Sequence, residues 1–267
     1  MKFRPCIDIH NGKVKQIVGG SLSDQNSKAV ENFVSEQDAG FYAALYKKDN
    51  LSGGHIILLN PIGTDYYIQD CNQAKKALKE FPQGMQIGGG ITEENAVSFI
   101  EQGASHVIVT SYVFKGGKIN FDNLNKLVST VGKEKLVLDL SCRKRNGEYY
   151  IVTDRWQKFT DVVVNQDTLD TLSEFCDEFL VHAVDVEGKA SGIETELVEL
   201  LGRWNKIPIT YAGGVSSLED LNLLKELGKD KLDVTIGSAL DLFGGSIKYS
   251  EVVSCTDQES GSRKVSE

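Results

Sequence analysis

The sequence predicts an α/β fold, a single (β/α)8 TIM barrel built from two related half-barrels. Three observations carry the prediction. Eight short runs rich in Val, Ile and Leu alternate with eight segments of helical apolar spacing. A strand running into a glycine pair occurs twice, as QIGGGI at residues 86–91 and TYAGGV at residues 210–215. The length of 267 residues is that of one such barrel. Parallel strands buried on both faces read as continuous apolar runs, and each needs a crossover helix to reach the next. An open doubly wound sheet is the alternative arrangement of the same elements.

The first strand, residues 4–9, carries CIDI, and Asn11-Gly12 turns it back into a hairpin-like KVKQIV inside an insertion over residues 11–35. Helix 36–48, strand 55–60 and helix 66–81 follow. The third strand, 85–88, runs into Gly89 and Gly90, and a helix begins at Thr92 and extends to residue 102. Strand 106–110 and helix 121–131 complete the first half. Strand 135–140 opens the second half with VLDL, and a second insertion over 141–166 again carries an Asn-Gly turn, Asn146-Gly147, beside EYYIV. Helix 167–175, strand 179–184 and helix 192–204 lead to strand 207–212, which runs into Gly213 and Gly214. Helix 216–228, strand 233–238 and helix 247–254 close the pattern. The pairs Asp8 and Asp139, Gly89 and Gly213, and Thr110 and Gly237 recur at nearly one interval, the mark of a duplicated half. Residues 1–255 form one barrel domain in this reading; the two insertions are lids over its mouth, and the polar tail 256–267 is disordered and has no assigned role.

A net charge of −9 argues against a nucleic-acid surface or an anionic membrane as partner. The sequence contains no run of eighteen apolar residues, and the strand-like start leaves no room for a leader peptide. Five cysteines without a CxxC pair suggest neither a disulfide framework nor a zinc site, and a reducing intracellular compartment fits best. Four histidines without HxxxH or HExxH spacing suggest no metal. Neither GxGxxG at the first helix nor GxxxxGK[ST] is present, so no nucleotide cofactor is expected. No helix shows an apolar stripe beyond what a barrel buries, and a monomer is expected.

Active sites in this fold lie at the C-terminal ends of the strands, where Asp8, Asp139, Gly89 and Gly213 all fall. Glycine pairs after a strand let backbone N–H groups approach an anion, with a helix start close by. Gly89, Gly90, Thr110 and Ser111 make one phosphate cup, and Gly213, Gly214, Gly237 and Ser238 the other. Two cups predict a doubly phosphorylated small-molecule ligand. Asp8 and Asp139 at matched strand ends suit general acid–base work, one ionised and the other kept protonated by its surroundings; solvated carboxylates or caps are the bland alternative. His55, which opens the second strand, and His182 and Asp185, which approach the same rim, are substrate-shell candidates, although a strand histidine more often belongs to the core. Trp156 either closes on a ring of the ligand or anchors the second insertion. Cys142 has no histidine beside it in sequence and reads as a small residue near the mouth. Arg143, Lys144 and Arg145 form a basic run on the second lid, a solvated face or a means of steering phosphate.

Taken together, CIDIHNGKVKQIVGG, QIGGGI, VIVTS, VLDLSCRK, FLVHAVDVEG, TYAGGV and TIGSALDLFGG resemble the eukaryotic form of the histidine-biosynthesis isomerases that act on phosphoribosylformimino-5-aminoimidazole carboxamide ribotide. The resemblance spans residues 3–245 and is nearest to plant and fungal members. It implies an Amadori rearrangement of an aminoaldose to an aminoketose, without metal or organic cofactor, on a substrate phosphorylated at both ends. It implies that Asp8 acts as base and Asp139 as acid. Aligned on the arginine after the fifth strand, the bacterial acid falls on Ser141, whereas the internal repeat selects Asp139; Asp185 is the reserve. The bacterial threonine on the sixth strand becomes His182, and a nearby aspartate becomes Glu187. The resemblance also implies a plastid if the source is a plant whose transit peptide has been removed, and the cytoplasm otherwise. Two rival readings are the sister barrel that serves as cyclase of imidazole glycerol phosphate synthase, and a non-catalytic barrel binding a phosphorylated metabolite.

Overall fold

Eight parallel strands, adjacent in sequence order, form the body of a curled sheet: β1 Cys6–His10, β2 Gly54–Leu58, β3 Met85–Gly88, β4 Val107–Val109, β5 Leu136–Asp139, β6 Glu178–His182, β7 Ile209–Ala212 and β8 Asp233–Thr235. The structure, a computed structural model, describes residues 1–17, 31–154, 156–189 and 191–256. The expected tail therefore lies, beyond Thr256, outside the described residues, as does the middle of the first insertion. Two antiparallel strands, Lys13–Ile17 and Glu31–Val34, extend the sheet beside β1 to ten strands. At the far edge β8 meets the segment before β1. Phe3 bridges Val234, the Arg4 N–H donates to Val234 O at 2.8 Å, and the Val234 N–H donates to Lys2 O at 2.9 Å.

Helices α1 Ala39–Lys48, α2 Asp65–Glu80, α3 Ala96–Glu101, α4 Phe121–Val131, α5 Gln166–Ser173, α6 Thr195–Trp204, α7 Leu218–Leu227 and α8 Tyr249–Cys255 fill the expected positions. Several begin later than apolar spacing alone suggests, because the capping residue decides. Asp38 accepts the Phe41 amide and starts α1, and Ser217 accepts the Asp220 amide and starts α7. The largest correction is α3, expected from Thr92. Residues 92–95 form a turn, with the Asn95 side chain accepting the Thr92 N–H and donating to Gly90 O, so the helix starts four residues further from the glycine pair.

Alternation along the strands separates two cores. Ile7, Ile9, Ile56, Leu58, Ile87, Val109, Leu138 and Val181 pack outward against helix residues such as Tyr46, Leu78, Leu124 and Leu201. Ile108, Val137, Leu180 and Ala212, with Ile57, form a small separate cluster on the concave face. Below it, at the N-terminal ends of the strands, Glu178 is buried. Its carboxylate accepts from Gln86 Nε2 at 3.0 Å and Thr210 Oγ1 at 2.7 Å and faces Arg4 Nη1 at 3.6 Å. Arg4 in turn pairs with Asp233 at 2.7 Å. Glu178→Gln keeps the shape but turns a donor toward a donor and leaves Arg4 short of an anion. Its expected cost is about 1–3 kcal/mol in urea unfolding; an unchanged midpoint would contradict this account of the network.

Both Asn-Gly turns are as expected. Asn11 and Gly12, at φ 53° and 71°, join β1 to the antiparallel strand 13–17. Asn146 and Gly147, at φ 55° and 85°, join Cys142–Arg145 to Glu148–Thr153. A third strand, Lys158–Val163, completes that second excursion and has no counterpart in the sequence reading; nor does the short hairpin of Phe114–Lys115 with Lys118–Ile119. Among the described residues no helix is long and apolar enough to cross a membrane, and no group of three His, Cys, Asp or Glu is arranged to hold a metal.

Candidate active site

At the C-terminal ends of the strands a cleft opens in two arms. The larger, about 590 Å3, runs from Gly88, Gly89 and Gly90 past Thr110 and Ser111 to Asp139 and Trp156. The smaller, about 40 Å3, is bounded by Gly213, Gly214, Thr235, Gly237 and Ser238. Asp8, His182 and Glu187 line both. The two glycine cups expected from the repeat therefore open toward one shared set of ionisable groups.

Each cup needs its glycines for space as well as conformation. Gly89 and Gly90 lie at φ 101° and 69°, and Gly213 and Gly214 at φ 114° and 79°. A Cβ on Gly89 would collide with Leu58 O, and one on Gly214 with Gly192 O. The backbone thus lies bare at both places. The side chains expected to complete the first cup are partly engaged elsewhere: Thr110 Oγ1 donates to Asp139 at 3.2 Å, and Ser111 Oγ accepts the Asp154 N–H at 3.3 Å.

Asp139 ends β5 and sits in a shell of donors. Its Oδ1 accepts from the Ser141 N–H at 2.8 Å and Ser141 Oγ at 2.7 Å and lies 3.4 Å from His182 Nδ1. Its Oδ2 accepts from Thr110. Burial pushes this carboxyl up, but the charge and hydrogen bond of His182 and the two bonds from Ser141 outweigh it and hold the group below the usual carboxylate range. A carboxylate accepting from every neighbour has no proton to give, which counts against the acid role expected of Asp139. Ser141 is the hub. It also accepts from Trp156 Nε1 at 3.0 Å and lies 3.3 Å from His182 Nδ1. Trp156, with φ 67°, brings its ring centroid to 5.7 Å from that of His182. These contacts tie the second excursion to the floor of the cleft and place the Trp156 ring on its wall, so both roles considered for it stay open.

Asp8 stands in contrast. Among the described residues its carboxylate accepts one side-chain bond, from Gln16 Nε2 at 3.3 Å. Burial, then Glu187, push it up to about 7, against His182 and Gln16, which lower it. Glu187 is likewise raised by burial, with His182 opposing. For His182 burial works downward, yet Asp139, Glu187 and Asp8 together carry the imidazole up to about 9. His55, on β2 with its ring 6.0 Å from His182, goes the other way, pulled to about 3 by burial and by the charge of His182. The site thus holds one imidazole charged and its neighbour neutral.

Two expectations, Asp185 and the basic run, are placed differently, and one, Cys142, is not. Asp185 accepts from Arg143 Nε at 2.8 Å and the Lys144 N–H at 2.9 Å, and neither Asp185 nor Arg143 lines the cleft. The ion pair fastens the second excursion to the loop after β6. Arg145 stacks on Tyr150 and Phe159, at 4.3 and 4.6 Å to the ring centroids, so the basic run packs on aromatic faces. Cys142 is buried and its thiol is pushed up by burial and Asp139, in keeping with a structural role. Gln16 and Thr235 are site residues that sequence reasoning did not single out. Alternation from Val234 puts Thr235 on the concave face, the one signal that could have found it. Alternation from Val14, the partner of outward-facing Ile9, would instead put Gln16 on the outer face; a register shift at Gln16 and Ile17 interrupts the pairing there.

Comparison with known proteins adds a family and relatives. A family model described as histidine biosynthesis protein matches residues 2–248. A Medicago truncatula protein is 54% identical over 263 residues, covering 97% of this chain and 83% of the relative. It is named an isomerase of 1-(5-phosphoribosyl)-5-((5-phosphoribosylamino)methylideneamino)imidazole-4-carboxamide, chloroplastic. Proteins of Yarrowia lipolytica and Saccharomyces cerevisiae carry the same isomerase name, at 47% identity with 94% of this chain and 96% of the relative covered, and at 44% with 92% and 94% covered.

Proposed function

The chain belongs to the histidine biosynthesis protein family, and from that premise we propose that it is the isomerase its relatives are named for, converting the aminoaldose ribotide to its aminoketose by an Amadori rearrangement. The observation that carries the reading is the meeting of Asp8, Asp139 and His182 between two bare glycine cups in one cleft. The substrate carries a phosphate at each end, and the cups formed by Gly89 with Gly90 and by Gly213 with Gly214 suit those ends, assisted by Ser111, Gly237 and Ser238.

In the reaction the ribose ring oxygen takes a proton from the β5–β6 side of the cleft, the C1′–O4′ bond opens and C1′ becomes an imine with the substrate nitrogen. Asp8 removes the C2′ proton, and the resulting enolamine tautomerises to the ketone. Asp8, raised to about 7, is matched to that task near neutral pH. No metal or organic cofactor enters this scheme. The curled sheet is read as a closed (β/α)8 barrel descended from two half-barrels, one domain over residues 1–255, since Phe3 and Val234 pair across its ends and the Asp and Gly-Gly motifs repeat. The chloroplastic name of the Medicago relative favours a plastid over the cytoplasm.

The test is turnover of the aminoaldose by metal-free protein without glutaminase or ammonia, following the aminoketose. Product formation establishes the isomerase. Failure to form it, with cyclisation of the ketose once ammonia is supplied, would replace this reading with the cyclase, and binding without either reaction would replace it with a silent binding barrel.

A further inference from the structure

We propose that His182, rather than either aspartate, is the acid that protonates the ribose ring oxygen, with Asp139 as its paired anion. The proposal deepens the isomerase reading and rests on it. Ser141 Oγ has one proton and gives it to Asp139 Oδ1 at 2.7 Å, so it meets Trp156 Nε1 and His182 Nδ1 as an acceptor. Nδ1 must then carry hydrogen, and its other neighbour, Asp139 Oδ1 at 3.4 Å, is an acceptor too. Among the described residues no side chain takes Nε2, while the ring lines both arms of the cleft. The second ring nitrogen is thus the one left to meet a ligand.

The charged groups facing this ring come from four elements. Asp139 on β5, Asp8 on β1 and Glu187 in the loop after β6 are acidic and favour the imidazolium; His55 on β2 is held neutral. Asp139, by contrast, accepts from Thr110, from two groups of Ser141 and from His182, a shell built for an anion. The directions agree, His182 raised to about 9 and Asp139 lowered.

The proton count closes. Nε2–H gives its proton to O4′ as the C1′–O4′ bond breaks and its electron pair stays on oxygen; the substrate nitrogen supplies the C1′=N bond. Asp8 takes the proton from C2′, the C–H pair becomes the C1′=C2′ bond, and the imine pair returns to nitrogen. Asp8 then delivers its proton to C1′ while the C2′ hydroxyl gives its own to the neutral His182. Both groups end as they began, as an isomerisation requires.

The experiment combines labelled-histidine NMR titration with pH profiles of kcat/KM. His182, assigned by its loss in His182→Gln, is expected to titrate near 9, with an alkaline limb of kcat/KM near the same pH. His182→Gln is expected to lower kcat by about 10²–10⁴-fold with little change in KM and to abolish that limb. Folded Asp139→Asn is expected to move the limb to lower pH while turnover persists on its acid side. A wild-type His182 midpoint below 7, a limb that survives His182→Gln, or an Asp139→Asn protein that binds substrate but is inactive at every pH would each overturn the proposal, the last in favour of Asp139. Wild-type protein without isomerase turnover would instead remove the reading beneath it, and that is measured first.

Discussion

Asp8→Asn is expected to lower turnover by about 10²–10⁴-fold, the usual span for losing one positioned acid or base, while a doubly phosphorylated ligand still binds within a few-fold of the wild-type Kd. The reason is spatial: Asp8 belongs to β1, whereas the glycine cups follow β3 and β7. The wild-type enzyme should also lose kcat/KM as pH falls through about 7, where the Asp8 carboxylate gains its proton. The same variant is expected to be more stable. Unfolded, the aspartate ionises near 3.8; folded, burial and Glu187 delay ionisation to about 7. Between those values unfolding releases a proton, so wild-type stability falls as pH rises from 3.8 to about 7 and is level above. Asn is exempt, and its advantage should grow across that window to something on the order of 1 kcal/mol, allowing for the partial exposure of the side chain. Thermal melts of both proteins at pH 4, 6 and 8 read this directly. A stability gap that does not widen with pH, or ligand binding lost together with turnover, would sink the assignment of Asp8 as a base held at structural cost.

Much of the fold is legible in the sequence because its signals are local. β-Branched runs such as HVIVT and KLVLDL announce buried strands, Asn-Gly pairs announce the two hairpins, and the repeat of Asp and Gly-Gly places both cups on one rim. Strand limits lie within two residues of those expected, except for β8, which ends at Thr235 although the apolar run continues to residue 238. Helix starts were less legible: apolar spacing sees the buried face, while Asp38, Asn95 and Ser217 set where the backbone can turn. The strand 158–163 escaped because QKFTDVVV lies on a partly exposed excursion sheet, where neither a buried run nor clean alternation survives.

The chemistry of the site was legible by residue type and illegible by role. Parity along β5 and beyond predicts that Asp139 and Ser141 face inward together, and they do meet. Nothing local predicts that His182 and Trp156, 41 and 15 residues from Ser141, converge on that hydroxyl. That convergence converts Asp139 from a carboxyl that could donate into one that accepts. The two aspartates on β1 and β5 thus acquire opposite character. Asp8 has few donors and is raised, while Asp139 has many and is lowered. Pushing two carboxyls in opposite directions is how one site can assemble a base and an anion partner from the same residue type.

Gly214→Ala is expected to lower the melting temperature and to raise KM for the doubly phosphorylated substrate at least tenfold, about 1.4 kcal/mol of binding, with kcat at saturation less affected. Two costs act at this position. The backbone sits at φ 79°, which a Cβ disfavours by roughly 1–2 kcal/mol, and the added methyl would collide with Gly192 O and approach Val186 Cγ2 to 2.9 Å. Relief requires moving the loop after β6 or the glycine pair, and either displaces the amides that form the cup. Gly63→Ala separates the costs, since Gly63 has a similar φ of 85° but nothing within 4 Å of its ideal Cβ. The control should lose only the conformational part of stability and keep its KM. If the two variants instead match in KM, the bare backbone at Gly214 serves the fold and not the phosphate. The ligand's second anchor would then have to be sought at Gly237 and Ser238 alone, where Gln16 Oε1 already crowds the position of a Cβ on Gly237.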